Sequence, residues 1–135
     1  MVEVVNRQRT SKVPARDWVA LATSILKLLG RTDSSATIAF VSDRKIRELN
    51  RTFRAMDKAT DVLSFPGGEE GRDLGDVAIS IETAKVQAKR SGLTLEREIA
   101  QLILHGLLHL SGYDHETDDG EMNRLELQLR RRLKI

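Results

Sequence analysis

The chain's three histidines, His105, His109 and His115, all fall in one run, His105-Gly106-Leu107-Leu108-His109-Leu110-Ser111-Gly112-Tyr113-Asp114-His115. The pattern is H-x-x-x-H-x-x-G-x-x-H. Neutral imidazole nitrogens are ligands for divalent metals, and two of them four residues apart on a helix share one face, one turn above the other. Gly112 lets the chain leave such a helix through a conformation that other residues resist, and the turn brings His115 back toward the first pair. Three nitrogen donors with an open fourth position describe a catalytic zinc site rather than a closed structural one. A lone histidine in an apolar helix is most simply a core residue; all three at this spacing point to a metal. The expected ion is one Zn2+ held by His105, His109 and His115 plus water, although nickel or copper also suits imidazole.

The spacing matches the zinc-binding run of the metzincin metalloproteases except at one position. Those enzymes carry Glu after the first His as general base, and here the residue is Gly106. The motif therefore argues for a metal and against ordinary proteolysis.

These side chains need a frame. Residues Glu98 to Leu110 read as a helix capped at Thr94, with Glu96 and Glu98 near its positive end and an apolar surface nearly all round. Ahead of it come a strand at Glu3 to Asn6 and a helix in which Pro14 occupies the first turn and Trp18, Leu21, Ile25 and Leu28 form the inward stripe up to Gly30. A strand at Thr37 to Val41 follows, then a helix capped by Ser42 that buries Ile46, Leu49 and Phe53. Strands are expected at Asp61 to Phe65 and Gly75 to Ser80, joined across a mobile acidic loop from Glu69 to Leu74. Ser80 caps a helix that Gly92 breaks, and Asp118 and Asp119 open a last helix with Met122, Leu125 and Leu129 inward. The first two strands, joined by a helix, should be parallel with a right-handed crossover, and the third and fourth antiparallel. The fold class is α+β: a small mixed four-stranded sheet with one antiparallel strand and about five helices. The histidine helix packs under the sheet, and the metal lies at the edge of a cleft between the sheet and the last helices.

The length of 135 residues suits a single domain, 1–135. Hydrophobic content of 40% and charged content of 31% are ordinary for a globular protein, and no apolar run spans a membrane. With no cysteine, metal ligands must be nitrogen or oxygen donors. The start of the chain lacks the layout of a signal peptide, and the expected location is cytoplasmic. A net charge of +2 permits a polyanionic partner without requiring one. Basic residues cluster at Arg7, Arg9, Lys12 and Arg16, and again at Arg130, Arg131, Arg132 and Lys134. The second cluster suits the negative end of a helix and is also a possible nucleic-acid contact.

The histidine run resembles the signature of the YbeY family of endoribonucleases, or rRNA maturation factors. Two other segments agree: Leu49-Asn50-Arg51-Thr52-Phe53-Arg54 with Asp57 and Thr60-Asp61-Val62-Leu63-Ser64-Phe65-Pro66, and Leu74-Gly75-Asp76-Val77-Ala78-Ile79-Ser80. The likeness covers roughly residues 36 to 130. It implies a metal-dependent, single-strand-selective endoribonuclease acting in 16S rRNA 3′-end maturation and ribosome quality control. Implied with it are single-stranded RNA or rRNA and the ribosome or its small subunit as partners, and a metzincin-like core with an antiparallel strand, assigned to Val62 to Phe65, beside the metal. The implied ligands are His105, His109 and His115, and the family's functional arginine maps onto Arg54. Phe53 stands where many members have Tyr. The catalytic assignments are thus Arg54, a bidentate phosphate clamp, and His109. Asp61, Asp76 and Asp114 are the carboxylates near these motifs, none assigned as general base. The nucleophile is either the RNA 2′-hydroxyl or metal-bound hydroxide. The competing reading is a non-catalytic zinc-binding ribosome assembly factor.

Overall fold

The computed structural model describes residues 1–68, 72–114 and 116–135. His115 and residues 69–71 of the acidic loop lie outside the described residues.

Alternating apolar side chains make the strands, and polar caps set the helix starts. The order is β1 (Val2–Asn6), α1 (Trp18–Leu28), β2 (Ser35–Val41), α2 (Asp43–Arg54), β3 (Val62–Pro66), β4 (Asp73–Ser80), α3 (Ile81–Ser91), α4 (Leu95–Leu110) and α5 (Glu121–Leu133). The sheet order is β1-β2-β4-β3. β1 pairs with β2 and β2 with β4 in parallel, while β3 pairs with β4 antiparallel, Val62 opposite Ile79 and Pro66 opposite Gly75. β3 is therefore an edge strand, where Pro66 costs no interior ladder bond.

The caps follow the sequence signals. Ser42, Ser80 and Thr94 each accept a hydrogen bond from the backbone N–H three residues on, at Lys45, Thr83 and Arg97. α5 is opened from outside its first turn: the Asp118 carboxylate accepts from the N–H groups of Gly120 and Met122.

Three expectations are corrected. α1 begins at Trp18, not at Pro14, because Asp17 supplies the cap by accepting from the Ala20 N–H. Pro14 instead offers its carbonyl to the Trp18 indole N–H at 3.2 Å. β4 begins at Asp73, so Asp73 and Leu74 belong to the strand rather than to the loop. Phe53 is not buried in the stripe of α2 but is 65% exposed. The buried polar residue of that helix is Asn50, at 1%.

The sheet carries two apolar layers. The larger holds Ile38, Phe40, Val77 and Ile79 against Trp18 and Ile25 of α1 and Ile103, Leu104 and Leu107 of α4. The smaller holds Val41, Leu63 and Ala78 with Ile46 of α2, and Leu49 and Phe65 at its margin. The histidine helix thus lies against the sheet as its all-round apolar surface requires. No helix among the described residues is long and apolar enough to cross a membrane.

Candidate active site

Gly106 of α4 lies directly against the sheet. A Cβ built there would lie 2.6 Å from Val77 Cγ1 and 3.3 Å from Ser64 Oγ. The Ser64 hydroxyl donates to the Gly106 carbonyl at 3.2 Å. Residue 106 therefore faces the sheet, and its lack of a side chain sets how near the helix can lie. With that face against the sheet, His105 and His109 fall at the margin of the edge strand.

Their rings approach edge-to-face, centroids 4.7 Å apart, with the two Nε2 atoms 3.1 Å apart. On the far side of His105, Nδ1 lies 3.1 Å from Glu126 Oε1 on α5. Burial pushes the Glu126 carboxyl up, but the hydrogen bond and charge of His105, joined by Arg130, outweigh it and hold the group below the usual carboxylate range. An ionised carboxylate only accepts, so His105 donates from Nδ1, and in the neutral ring that tautomer offers the Nε2 lone pair to a cation. A carboxylate behind a histidine in this way is the usual support of a metal-ligating imidazole. Two converging Nε2 atoms, one with its tautomer fixed by a carboxylate, fit an imidazole-bound divalent cation. His105 and His109 would hold it; His115, the third expected ligand, lies outside the described residues, among which no set of three potential ligands is found.

The histidines open into a cleft of about 440 Å³ lined on one side by Val62, Ser64 and Pro66 of β3 and on the other by Tyr113, Asp114 and Glu116. Its walls are thus the edge strand and the segment after α4, not α5 as expected; α5 supports His105 from behind through Glu126. Gly112, at φ +100°, makes the turn beneath the cleft, and its N–H donates to the His109 carbonyl at 3.1 Å. Arg54, the last residue of α2, lines the same cleft. Asn50 fixes the chain just beyond it: its side-chain amide donates to the Lys58 carbonyl at 2.9 Å, and its own carbonyl accepts from the Met56 N–H. Arg47 adds a bidentate pair to Asp57, at 2.8 and 3.2 Å, which holds that carboxyl below its ordinary range.

The carboxylates picked out in the sequence have local duties. Asp61 lines the cleft and accepts from the Val62 N–H at 2.8 Å. Asp114 accepts from the Glu116 N–H at 3.0 Å, and the carboxylate on His105 is Glu126 instead. Asp76 lies in β4 opposite Phe65, away from the cleft lining. Two further carboxylates carry the arrangement without standing in any motif. Glu126 falls four residues after Met122 and three before Leu129, so an acid on an apolar helical stripe was its one signal. Glu98, 8% exposed, lies seven residues before His105 on α4. With its amide nitrogen facing them, Gln87 of α3 donates to both Asp61 Oδ2 and Glu98 Oε1 at 3.0 Å.

The sequence pattern of the endoribonuclease YbeY family matches residues 3–134. The chain belongs to the YbeY family. It is 50% identical over 105 residues to endoribonuclease YbeY of Nautilia profundicola, covering 77% of this chain and 76% of the relative. To that of Aquifex aeolicus it is 45% identical over 115 residues, covering 83% and 75%. The Myxococcus xanthus YbeY is longer: at 50% identity over 126 residues, the match takes 84% of this chain and 43% of the relative. The fold is similar to the solution structure of a Thermotoga maritima protein, with a TM-score of 0.65 at 27% identity, covering 98% of this chain and 89% of that one. In this family member the described residues form a mixed sheet packed with five helices, with β3 the antiparallel strand beside the histidines.

Proposed function

We propose that this chain is a zinc-dependent, single-strand-selective endoribonuclease acting in rRNA processing, at 16S rRNA 3′-end maturation and ribosome quality control. The carrying observation is the convergence of the His105 and His109 Nε2 atoms, 3.1 Å apart, in a cleft that Arg54 also lines. Membership of the YbeY family supplies the substrate class. In this reading the protein works in the cytoplasm, on the ribosome or its small subunit.

In this reading His105, His109 and His115 hold the zinc, and a zinc ion bound there supplies Lewis acidity at a phosphoryl oxygen. Glu126 keeps His105 in the tautomer that offers Nε2. Arg54 binds the phosphodiester, for which the planar guanidinium offers paired donors. Asn50 and the Arg47–Asp57 pair hold the turn that fixes where α2 ends, and so position Arg54. Ser64, tied to the Gly106 carbonyl, contributes wall rather than nucleophile. A peptidase reading is disfavoured because position 106 faces Val77 and has no room for a base.

The test is incubation of the protein with single-stranded RNA, duplex RNA and casein. The expected outcome is cleavage of single-stranded RNA alone, with Arg54→Ala slowing it by a hundredfold or so, about what loss of one charge-stabilising contact costs. Cleaved casein would refute the argument from Gly106. Ribosome binding without RNA cleavage would transfer the case to a non-catalytic assembly factor.

A further inference from the structure

Phe53 is out of place for a folding role. It continues the inward face of α2 after Ile46 and Leu49, yet 65% of it meets solvent. Its ring touches Phe65 of the edge strand edge-to-face, centroids 5.3 Å apart at 66°. That contact seats the ring without covering it. The next residue, Arg54, lines the cleft. The helix that ends there carries Arg44, Arg47, Arg51 and Arg54 at spacings of three, four and three, so they share one face, and all are exposed. Asp57 offsets Arg47 directly and Arg51 more weakly; with Arg44 they extend the positive charge of Arg54 back along the helix.

An exposed aromatic ring next to the cleft-lining Arg54, with an arginine row leading away from that residue along the adjoining helix face, has the composition of a single-stranded nucleic-acid platform: stacking for the bases and guanidinium groups for the phosphates. Duplex RNA keeps its bases stacked on each other and offers none to such a ring.

Resting on the endoribonuclease reading above, we propose that the C-terminal half of α2 is the substrate's approach surface. The Phe53 ring stacks on an unpaired base beside the scissile phosphate, and Arg51 and Arg44 contact the backbone leading away from Arg54. The choice of single strands then arises at Phe53.

The experiment is fluorescence anisotropy with an end-labelled single-stranded oligoribonucleotide and its duplex, with chelator present to prevent cleavage. Phe53→Leu keeps the apolar contact with Phe65 but has no π-face, and is expected to weaken single-strand binding by about fivefold or more, the lower bound for one lost base stack. Duplex binding should stay unchanged. Phe53→Trp should bind single strands at least as well as the natural protein. Arg51→Gln should flatten the dependence of log affinity on log salt by about 0.7, one single-strand phosphate contact. Thermal melts show that each variant is folded. If folded Phe53→Leu binds single-stranded RNA as the natural protein does, this inference falls while the nuclease reading stands. If the natural protein binds no RNA, both fall.

Discussion

Gly106 is the residue at which packing and chemistry meet. In the sequence it looks like a lost general base. In the structure it is a point of contact between helix and sheet, because the Cβ it lacks would lie within 2.6 Å of Val77, itself fully buried. Val77 is β-branched and cannot swing aside cheaply. Gly106→Ala should therefore lower stability by about 1–3 kcal/mol despite the higher helix propensity of alanine. Urea denaturation checks this, and in a Val77→Ala background the same Gly106→Ala change should cost less. A Gly106→Ala protein as stable as the natural one would mean that α4 does not sit against the sheet as described. The same scale shows what the sequence makes legible. His105 and His109 are evident from spacing and composition, and Arg54 only through family likeness. Glu126 is hidden because its partner lies 21 residues away across a helix turn.

At the scale of elements, caps and periodicity locate every strand and helix, since those signals act over three or four residues. Of the misplaced features, the start of α1 turns on the local cap at Asp17, and the other two depend on distant chain. Phe53 keeps helical spacing but runs beyond the cover of the sheet, and β4 starts early because it pairs along β2 from Ser35 onward. The joint between α3, α4 and the start of β3 is polar, built from Gln87, Glu98 and Asp61. Burial, then the nearby Asp61 charge, push the Glu98 carboxyl up, and Arg130 opposes them only in part. A raised folded-state pKa means that the stability contributed by protonated Glu98 is fully present below the ordinary glutamate value of about 4.3 and is lost as pH rises through the folded value. Glu98→Gln removes that loss. The difference in melting temperature, variant minus natural protein, should therefore grow in the variant's favour as pH is raised from about 4 to 7. A difference that is flat or shrinks with pH would contradict the buried, destabilised carboxylate.

The whole molecule is a scaffold with the sheet in the middle and its edge strand as the working border. α4 brings two histidines to that border from one face. α2 brings Arg54 to it from the other, and α5 braces His105 through Glu126. None of the three helices forms the site alone, which is why the motifs lie far apart in sequence and only the histidine run announces chemistry by itself. On the proposed function, His105 and His109 would belong to the metal centre of an RNA-cutting cleft. The measurement that tests it is single-turnover cleavage of single-stranded RNA by protein stripped with chelator, before and after adding one equivalent of zinc. The natural protein should be silent when stripped and recover with zinc. Glu126→Gln should recover only at roughly 10- to 100-fold higher zinc, the usual cost of losing a carboxylate behind a ligating histidine. His109→Ala should not recover at any zinc concentration. Cleavage that persists in the stripped protein, or that survives in His109→Ala, would contradict the account.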